Sequence, residues 1–245
     1  MPTTQQRTFQ DQKALVTGAT SGLGRAIAFQ MARDGFEVIV HGRDAARGAE
    51  TVDAIIAEGG RARFVAADLS NPADLRRLVE DIGDIDILVN NAGFSVFGAT
   101  ADLDLDTFDA LFASNVRAPF FLVAAFAPRM VARGKGSIIN VSSMAGQIGL
   151  AGGAAYGATK GALSSLTRAW AAEFSPGVRV NAIAPGPVYT DGAAPERTAG
   201  LGSTTLLKRA ANVEEIAEVV GFLASPHASY ITGAIIAADG GRTAI

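Results

Sequence analysis

Near its N-terminus the chain reads Ala14-Leu15-Val16-Thr17-Gly18-Ala19-Thr20-Ser21-Gly22-Leu23-Gly24, a short apolar run followed directly by a glycine-rich turn. The apolar run predicts a buried strand, and the amphipathic segment 23–33 predicts a helix. At such a turn, small residues let the backbone approach a phosphate, whose negative charge the helix N-terminus favours. The spacing Gly-x3-Gly-x-Gly is a weak indication when it stands alone, because a plain strand-to-helix turn explains it equally well.

Strand and helix patterns alternate along the rest of the chain. Further strands are predicted at residues 37–40, 62–65, 86–89, 137–141, 178–183 and 234–237. Helices are predicted at residues 44–58, after Pro72, and from about 106 to 132. Strands separated by helices need right-handed crossovers, which give a parallel sheet covered on both faces. We therefore expect a single α/β domain at residues 13–245, a doubly wound parallel sheet, after a polar leader at residues 1–12.

Composition excludes several classes of protein. Of the 245 residues, 49% are hydrophobic and 18% are charged, which is typical of a compact globular chain. A net charge of −3 and a pI near 5.4 give no electrostatic footprint for nucleic acid or an anionic membrane. The chain has no cysteine, so it offers no disulfide framework, thiolate nucleophile or cysteine-based metal site, and no metal site is predicted.

Localisation is predicted from the same composition. Residues 1–12 are polar and lack the apolar run of a signal peptide. No apolar stretch approaches the roughly 20 residues that span a bilayer. We therefore expect a soluble, cytoplasmic protein.

A tyrosine and a lysine are spaced by four residues in the run Ala154-Ala155-Tyr156-Gly157-Ala158-Thr159-Lys160. On a helix both side chains project from one face, where an ammonium can stabilise a phenolate and lower the tyrosine pKa by roughly 1 to 3 units. Ser143 follows the strand-like run 137–142. Each residue alone is more often structural, as an exposed pair or a turn residue, but the joint spacing favours proton-transfer chemistry.

These motifs occur in an order that resembles the short-chain dehydrogenase/reductase family, from Lys13 to about Gly241, and is most similar to its 3-oxoacyl-[acyl-carrier-protein] reductase-like members. The resemblance implies a Rossmann-type fold. The matching motifs are the glycine turn 17–24, Asp68-Leu69, Asn90-Asn91-Ala92-Gly93, Asn115, Ser143, Tyr156, Lys160, the segment from Pro185-Gly186 to Thr190, and Asp239-Gly240-Gly241.

The resemblance also implies which residues hold a nicotinamide dinucleotide. Besides the turn residues Gly18, Thr20, Ser21, Gly22, Leu23 and Gly24, they are Asp68 and Leu69 at the adenine, Asn91, Ala92 and Gly93 near the ribose, Tyr156 and Lys160, and Pro185, Gly186, Val188 and Thr190 at the nicotinamide. Without the family, Asp68 is equally well a cap or turn residue ahead of the helix at Pro72.

The choice of cofactor depends on the end of the second strand, which reads His41-Gly42-Arg43. An acidic side chain there accepts hydrogen bonds from the 2′-hydroxyl of NAD, whereas a cation accommodates a 2′-phosphate. Gly42 stands where NAD-dependent members usually place Asp, so NADP(H) is favoured. NAD(H) stays open, because Arg43 is also a plausible solvated helix start and Asp44 weakens the positive field.

The resemblance implies an oxidoreductase that transfers a hydride between NADP(H) and a carbonyl or secondary alcohol. Tyr156 is expected to exchange the proton, Ser143 to hold the substrate oxygen, and Asn115 to anchor a water that links Lys160 to solvent. His41 and His227 are not near these motifs, so no histidine-based mechanism is predicted. Two alternatives are an NAD-dependent dehydrogenase of a sugar, steroid or other secondary alcohol, and a non-catalytic cofactor-binding sensor.

The substrate side is less specific. Apolar residues in the segments 94–97 and 144–148, with Tyr189, predict a cleft for a hydrophobic or acyl carbonyl compound, although any of them could be core. Residues 190–208 carry little periodicity and predict a substrate lid or, alternatively, a surface insertion. Basic residues in the segment 129–135 fit an acidic carrier protein or, preferably, a solvated helix end.

Small residues lie along the helix that carries Tyr156, namely Gly157, Ala158, Gly161, Ala162 and Ser165. They would let a second helix approach closely, and the family resemblance implies that these helices pair across subunits in a homotetramer. Packing of the helix within its own chain explains some of the same residues.

Overall fold

Seven parallel strands form one sheet in the computed structural model, which describes residues 11–245. The sheet order is β3-β2-β1-β4-β5-β6-β7. The strands are β1 Lys13–Val16, β2 Glu37–Gly42, β3 Arg61–Ala66, β4 Ile87–Asn90, β5 Ser137–Val141, β6 Arg179–Pro185 and β7 Ile235–Ala238. The predicted fold class is confirmed, and all seven predicted strands are present within one or two residues at each end. Most of the predicted leader, residues 1–10, lies outside the described residues.

Eight α-helices occur in the described part of the chain. They are α1 Gly22–Arg33, α2 Ala45–Ala57, α3 Pro72–Ile82, α4 Leu105–Phe112, α5 Ala118–Ala132, α6 Ala154–Phe174, α7 Pro195–Gly202 and α8 Val213–Ala224. Alternate strand side chains enter two core layers: Ala14 and Val16 pack with α1, α2 and α8, whereas Leu15 packs with α3, α5 and α6. Helices therefore cover both faces of the sheet, as a parallel sheet requires.

The long helix predicted at about 106–132 is continuous but not uniform. A π-helical turn at Ala113–Arg117 joins α4 to α5. The whole segment Leu105–Ala132 is long and apolar enough to cross a membrane by length and composition. The expectation that no segment reaches that length is therefore wrong. Leu122, Val123 and Phe126 from this helix are fully buried against the sheet, which accounts for its apolar character.

The region 190–208 differs from its prediction. It was expected to carry little regular structure, yet it contains α7, whose glycine and threonine residues give no apolar period for sequence analysis to detect. Helix α8 was also not predicted, although it starts with a capping box in which Asn212 and Glu215 bond each other's backbone N–H groups.

Candidate active site

The glycine turn between β1 and α1 leaves no room for side chains at two positions. Gly18 has a φ of +64°, and a Cβ added there would lie 2.9 Å from Ala92 Cα. A Cβ at Gly24 would lie 2.1 Å from the Gly18 carbonyl oxygen. Because both contacts involve backbone atoms that cannot rotate away, only glycine fits. The turn therefore wraps closely around the N-terminus of α1.

The N-terminus of α1 already attracts an anionic group in this structure. Its N-cap residue Ser21 makes no side-chain capping bond. The Gly22 N–H instead donates to a carboxylate oxygen of Asp191 at 3.4 Å. Negative charge is favoured here because the helix dipole and the free N–H groups both point toward it.

Thr17 and Asn91 join the carboxyl ends of β1 and β4. The Thr17 hydroxyl accepts hydrogen bonds from the backbone N–H groups of Asn91 at 3.0 Å and Ala92 at 2.9 Å. The Asn91 side-chain amide donates to the Thr17 carbonyl at 2.8 Å. The strand order reverses between these two strands, which is where open α/β sheets bind ligands.

His41 lies beside the glycine turn, so the interpretation that it is remote from the motifs is wrong. It is buried, its Nδ1 accepts from the Gly18 N–H at 3.2 Å, and its Nε2 lies 3.1 Å from the Ala67 carbonyl. These two bonds require the neutral ring with the proton on Nε2. Burial lowers the pKa of His41 to about 4, so the ring stays neutral at physiological pH.

A cavity of about 790 Å³ opens at the switch point, and we call it the switch-point cavity. The predicted cofactor residues that line it are Gly18, Thr20, Ser21, Gly22, Leu23, Gly24, Arg43, Asp68, Leu69, Asn91, Ala92, Gly93 and Thr190. Tyr156, Lys160, Pro185, Gly186 and Val188 are not among its lining residues. A cavity lined by closely packed glycines at a helix N-terminus fits a dinucleotide.

The predicted nicotinamide segment packs instead against the C-terminal part of the chain. Gly186 donates its N–H to the Ala238 carbonyl at 3.1 Å, and a Cβ on it would lie 2.7 Å from Asp239 Cα. Val188 pairs with Ala211 in an isolated bridge. These residues fix where Thr190 and Asp191 enter the switch-point cavity.

The charged residues at the cavity rim leave Arg43 without an ion-pair partner in the described chain, because Asp44 pairs with Arg47. Asp44 caps α2 through the Arg47 N–H at 3.1 Å and forms an ion pair with the Arg47 side chain at 2.9 Å. Arg43 is exposed and forms no ion pair within residues 11–245. The expected weakening of its field by Asp44 is therefore largely offset by Arg47.

Asp68 is a turn residue that also lines the switch-point cavity. It accepts bonds from the Ser70 N–H at 2.9 Å and the Ser70 hydroxyl at 2.8 Å, which makes it a turn residue. These bonds, together with the charge of Arg43, lower the pKa of its carboxyl. The cap of α3 is Asn71, which accepts from the Ala73 N–H at 2.8 Å.

Tyr156 and Ser143 lie within hydrogen-bonding reach of each other. Burial raises the pKa of the Tyr156 phenol, and the bond to the Ser143 hydroxyl opposes that rise. The expected lowering by Lys160 is not found. The Lys160 ammonium lies 5.8 Å from the Tyr156 ring centroid and donates to the Val141 carbonyl at 2.8 Å.

Lys160 is almost fully buried, with 6% of its surface exposed, and burial lowers its pKa to about 8. It still approaches the switch-point cavity, because a Cβ built on Gly93 would lie 3.8 Å from its Nζ atom. The same Cβ would lie 2.6 Å from Oδ1 of Asn115. Because Gly93 has no side chain, the backbone that lines the cavity packs directly against Lys160 and Asn115.

Asn115 lies in the π-helical turn, and its side-chain amide makes three hydrogen bonds. It accepts from the Phe94 N–H at 3.1 Å and donates to the Phe94 carbonyl at 2.9 Å and the Thr159 hydroxyl at 3.1 Å. Thr159 in turn donates to the Tyr156 carbonyl at 2.7 Å. Asn115 thus couples the segment after β4 to the helix that carries Tyr156 and Lys160.

The apolar substrate side is only partly as predicted. Phe94 and Phe97 are exposed, and the Phe97 ring lies 5.7 Å from the Tyr156 ring. Met144 and Ala145 are buried and belong to the core. Tyr189 lines a different cavity, with α1 and α8 residues.

An additional side chain that sequence analysis did not predict reaches Phe97 from α7. The guanidinium of Arg197 lies 4.7 Å from the Phe97 ring centroid. No local pattern links these residues, because the contact forms only when the segment 190–208 folds over the loop after β4.

Comparisons with known proteins agree with this geometry. A family model described as Enoyl-(Acyl carrier protein) reductase matches residues 18–243. The chain is 39% identical to 2-(S)-hydroxypropyl-CoM dehydrogenase 3 of Xanthobacter autotrophicus, covering 94% of this chain and 96% of that protein. It is 36% identical to a cyclopentanol dehydrogenase of Comamonas testosteroni, covering 96% and 98%.

Two solved structures are also similar along their whole length. A candidate beta-ketoacyl-ACP reductase has a TM-score of 0.90 with 46% identity, covering 97% of this chain and 100% of that one. A candidate NAD(P)-dependent gluconate 5-dehydrogenase from Beutenbergia cavernae, with NADP bound at low occupancy, has a TM-score of 0.91 with 37% identity, covering 96% and 98%. The chain belongs to the short-chain dehydrogenase/reductase family and is an NAD(P)-dependent oxidoreductase of alcohol and carbonyl groups.

Proposed function

We propose that this enzyme is an NADPH-dependent carbonyl reductase, or the reverse alcohol dehydrogenase, with Asn115, Ser143, Tyr156 and Lys160 as its catalytic residues. The observation that carries the proposal is that the Tyr156 phenol lies close enough to the Ser143 hydroxyl for Ser143 to influence its pKa, with the buried Lys160 ammonium 5.8 Å from the Tyr156 ring centroid. A sensor that only binds the cofactor has no need of these proton-transfer groups.

The switch-point cavity is the proposed cofactor site. A nicotinamide dinucleotide held there supplies the hydride that reduces a carbonyl carbon, or accepts one from a carbinol carbon. The N-terminus of α1 would bind the pyrophosphate, and Asp68 and Leu69 would flank the adenine. Pro185, Gly186, Val188 and Thr190 would lie at the nicotinamide end, where the first three act as the support that positions Thr190.

Two features of this chain support NADP(H) over NAD(H). A Cβ at Gly42 would lie 2.5 Å from the Thr20 side chain, so an acidic residue at that position would displace Thr20 from the cavity wall. Arg43 lines the cavity without an ion-pair partner in the described chain. A guanidinium in that position can bind the 2′-phosphate with two parallel N–H bonds.

Tyr156 is the proposed proton donor in reduction. Its raised pKa keeps the phenol protonated at neutral pH, ready to donate to the carbonyl oxygen. Ser143 donates its hydroxyl hydrogen bond to the same oxygen and stabilises the charge that develops there. In oxidation the phenolate is needed instead, so the rate of alcohol oxidation is expected to rise with pH.

Lys160 and Asn115 are the proposed route by which Tyr156 regains its proton. Lys160, with a pKa of about 8, holds its proton at neutral pH and can release it more easily than an exposed lysine. Asn115 bonds Thr159, the residue directly before Lys160, and borders the loop at Phe94. A water held at this turn would connect Lys160 to solvent.

The proposed substrate class is a hydrophobic or acyl carbonyl compound, as in 3-oxoacyl reductases. Phe94 and Phe97 supply exposed apolar surface beside Tyr156. The relatives named for cyclopentanol and gluconate favour a second candidate, an NAD(P)-dependent dehydrogenase of a small secondary alcohol. Residues 190–208, which include α7, are the proposed substrate lid.

Docking of an acidic carrier protein is not favoured by the basic residues near the end of α5. Arg133 forms an ion pair with Asp84 at 3.1 Å, and Lys135 forms one with Asp86 at 3.3 Å. Their charges are therefore offset within the chain, which supports the interpretation that they end and fasten the helix.

We also propose a cytoplasmic homotetramer. Gly157 packs within the chain, since a Cβ there would lie 2.7 Å from the Ala145 carbonyl. Ala162 and Ser165 instead line a surface groove with exposed phenylalanines of α5. On a second face, the exposed aromatic residue Phe222 lies on α8, and two different faces are what a dihedral tetramer needs. Light scattering of the purified protein measures the number of chains.

The proposed function is tested with purified enzyme, NADPH or NADH, and a panel of ketones and acyl thioesters, followed by nicotinamide absorbance. We expect turnover that is faster with NADPH. Tyr156→Phe is expected to lower kcat about 100- to 10,000-fold, because one general acid contributes that much, with little change in cofactor Kd. The matched control is Tyr230→Phe, since that hydroxyl is fully exposed. Undiminished turnover in Tyr156→Phe would refute the assigned acid.

A further inference from the structure

Arg197 is an exposed cation beside the aromatic ring of Phe97, which in turn lies beside Tyr156. Its guanidinium lies 4.7 Å from the Phe97 ring centroid, and Phe97 lies 5.7 Å from the ring of Tyr156. Within residues 11–245 it forms no ion pair. Its acidic neighbour Glu196 is not its partner, and Asp191, at the start of the same segment, bonds the Gly22 N–H.

Helix α7 holds Arg197 in this orientation. Thr198 is buried and its hydroxyl donates to the Ala194 carbonyl at 3.1 Å. Gly202, one turn later on the same face, packs so closely that a Cβ would lie 2.3 Å from the Ala210 nitrogen. Because that face is fixed against the segment at Ala210, Arg197 is turned by about 100° toward the loop that carries Phe97.

The Arg197 guanidinium lies within cation–π range of the Phe97 ring, and within residues 11–245 its N–H groups make no hydrogen bond or ion pair. Those N–H groups form a fork that matches the two oxygens of a carboxylate. The exposed apolar surface of Phe97 supports the cation from below, so the fork is pre-positioned and loses less freedom when an anion binds. The arrangement is therefore suited to a carboxylate at the far end of a substrate whose carbonyl lies at Tyr156.

We propose that Arg197 is a specificity-determining residue that binds the carboxylate of an oxo acid or hydroxy acid substrate. The inference rests on the proposed function and names its substrate class. The reacting oxygen bonds Tyr156 and Ser143, while the carboxylate bonds the guanidinium across the Phe97 ring. A neutral carbonyl compound of the same shape still reaches Tyr156 but leaves Arg197 without a partner.

The test compares oxo acids with their isosteric amides, for example acetoacetate with acetoacetamide, and 4-oxopentanoate and 5-oxohexanoate with their amides. The wild-type enzyme is expected to prefer the acid of at least one pair by about tenfold to hundredfold in kcat/KM, as for a charge-assisted hydrogen bond. Arg197→Gln is expected to abolish the preference by raising KM for the acid, with kcat for the amide nearly unchanged. Arg197→Lys is expected to keep part of the preference, since it retains charge but not the fork.

Arg76→Gln is the matched control. Arg76 is also an exposed arginine without an ion pair in the described chain, but it lies on α3, on the opposite side of the sheet from α1 and α8. Arg76→Gln is expected to keep the wild-type ratio of kcat/KM for acid to kcat/KM for amide. Raised ionic strength is expected to weaken the preference in the wild type and not in Arg197→Gln, because salt screens an exposed charge pair.

Three outcomes separate this inference from the function it rests on. Equal kcat/KM for acid and amide in every pair, or a preference that survives in Arg197→Gln, overturns the role of Arg197 while the reductase function stands. Reduction of neutral ketones but of no oxo acid does the same. If no carbonyl compound is reduced with either nucleotide, the proposed function fails. A thermal shift that acid, but not amide, produces in wild type and not in Arg197→Gln would then still support the anion site.

Discussion

The switch-point cavity is lined mainly by backbone atoms, whereas the proposed substrate side, at Phe97 and Arg197, consists of exposed side chains. The cavity is formed by strand ends and backbone: Gly18, Gly24 and Gly93 leave no space for a Cβ, and Thr17 and Asn91 bond backbone atoms at 2.8 to 3.0 Å. The substrate side is formed by exposed side chains, Phe97 and Arg197, that meet Tyr156 only through ring contacts.

With the cofactor and substrate sites proposed above, this difference predicts that cofactor binding and substrate choice can be altered separately. A change at the cavity alters backbone geometry and therefore acts on folding and dinucleotide affinity together. A change at Phe97 or Arg197 replaces exposed surface, which usually costs little stability.

The largest effect is expected where the cavity is tightest. Gly24→Ala places a methyl group 2.1 Å from the Gly18 carbonyl and 2.4 Å from the Asn91 amide, which must move. We expect a loss of about 3 kcal/mol or more in unfolding free energy or in dinucleotide binding. Denaturant melts and fluorescence titration with NADPH measure both.

The matched control is Gly200→Ala, on α7. A Cβ at Gly200 meets nothing within 4 Å, so this variant should bind cofactor as the wild type does. If Gly24→Ala retains both stability and affinity, the cavity is not held by backbone packing, and the contrast between the two regions is lost.

The second effect tests whether His41 holds the glycine turn. Its pKa falls from 6.5 unfolded to about 4 folded, so below about pH 6.5 the unfolded chain binds more protons than the folded one. The free energy of unfolding is therefore expected to fall as pH falls from about 6.5 toward 4. Once His41 is fully protonated, the total decrease is about 3 kcal/mol.

The measurement is the unfolding free energy at about pH 7 and about pH 4.5 for wild type and His41→Gln. Carboxylates such as Asp68 contribute the same sign of pH dependence, so the difference between variants is the informative quantity. His41→Gln should show the shallower loss. Equal slopes in wild type and His41→Gln would contradict the neutral buried ring.

His41 also shows where sequence analysis stops. The glycine turn and the Tyr156–Lys160 pair could be predicted because their signals are local: a strand before the turn, and a four-residue helical spacing. The partners of His41 are 23 and 26 residues away in sequence. They meet only when β1, β2 and β3 pair, so no local pattern indicates the contact.

The pKa of Tyr156 was mispredicted for a related reason. The spacing to Lys160 is a property of the helix, whereas burial is a property of the folded chain, and burial decides the direction of the shift. The contact between Arg197 and Phe97 was missed because α7 has too few apolar residues to be recognised as a helix. Tertiary packing thus supplies what the sequence pattern lacks on the substrate side.

The third effect concerns the choice between NADPH and NADH at the switch-point cavity. Arg43→Ala is expected to weaken NADPH binding by about 1.5 to 3 kcal/mol and NADH binding by much less, because only the 2′-phosphate uses the guanidinium. Fluorescence titration with both nucleotides measures the difference. Arg47→Ala is the control, since Arg47 also lines the cavity but is paired with Asp44. Equal losses of both nucleotides in Arg43→Ala would count against the phosphate contact.

The smallest effect is expected where the two regions meet. Asp191 belongs to the segment that carries Arg197, yet its carboxylate bonds the Gly22 N–H in the switch-point cavity. A dinucleotide pyrophosphate needs the same N–H group and the same helix dipole, so the carboxylate competes with it. Asp191→Asn keeps the size of the side chain and removes its charge, and it is expected to tighten NADPH binding by about 0.3 to 1 kcal/mol.

Glu196→Gln is the control for this variant, because it removes a charge from the same segment at a position that lines neither the cavity nor the α1 N-terminus. Tighter binding in Asp191→Asn alone would show that the segment 190–208 must leave Gly22 when the cofactor enters. The segment that carries Arg197 would then be free to settle over the substrate only after the dinucleotide is bound. Unchanged or weaker binding in Asp191→Asn would leave the two regions independent of each other.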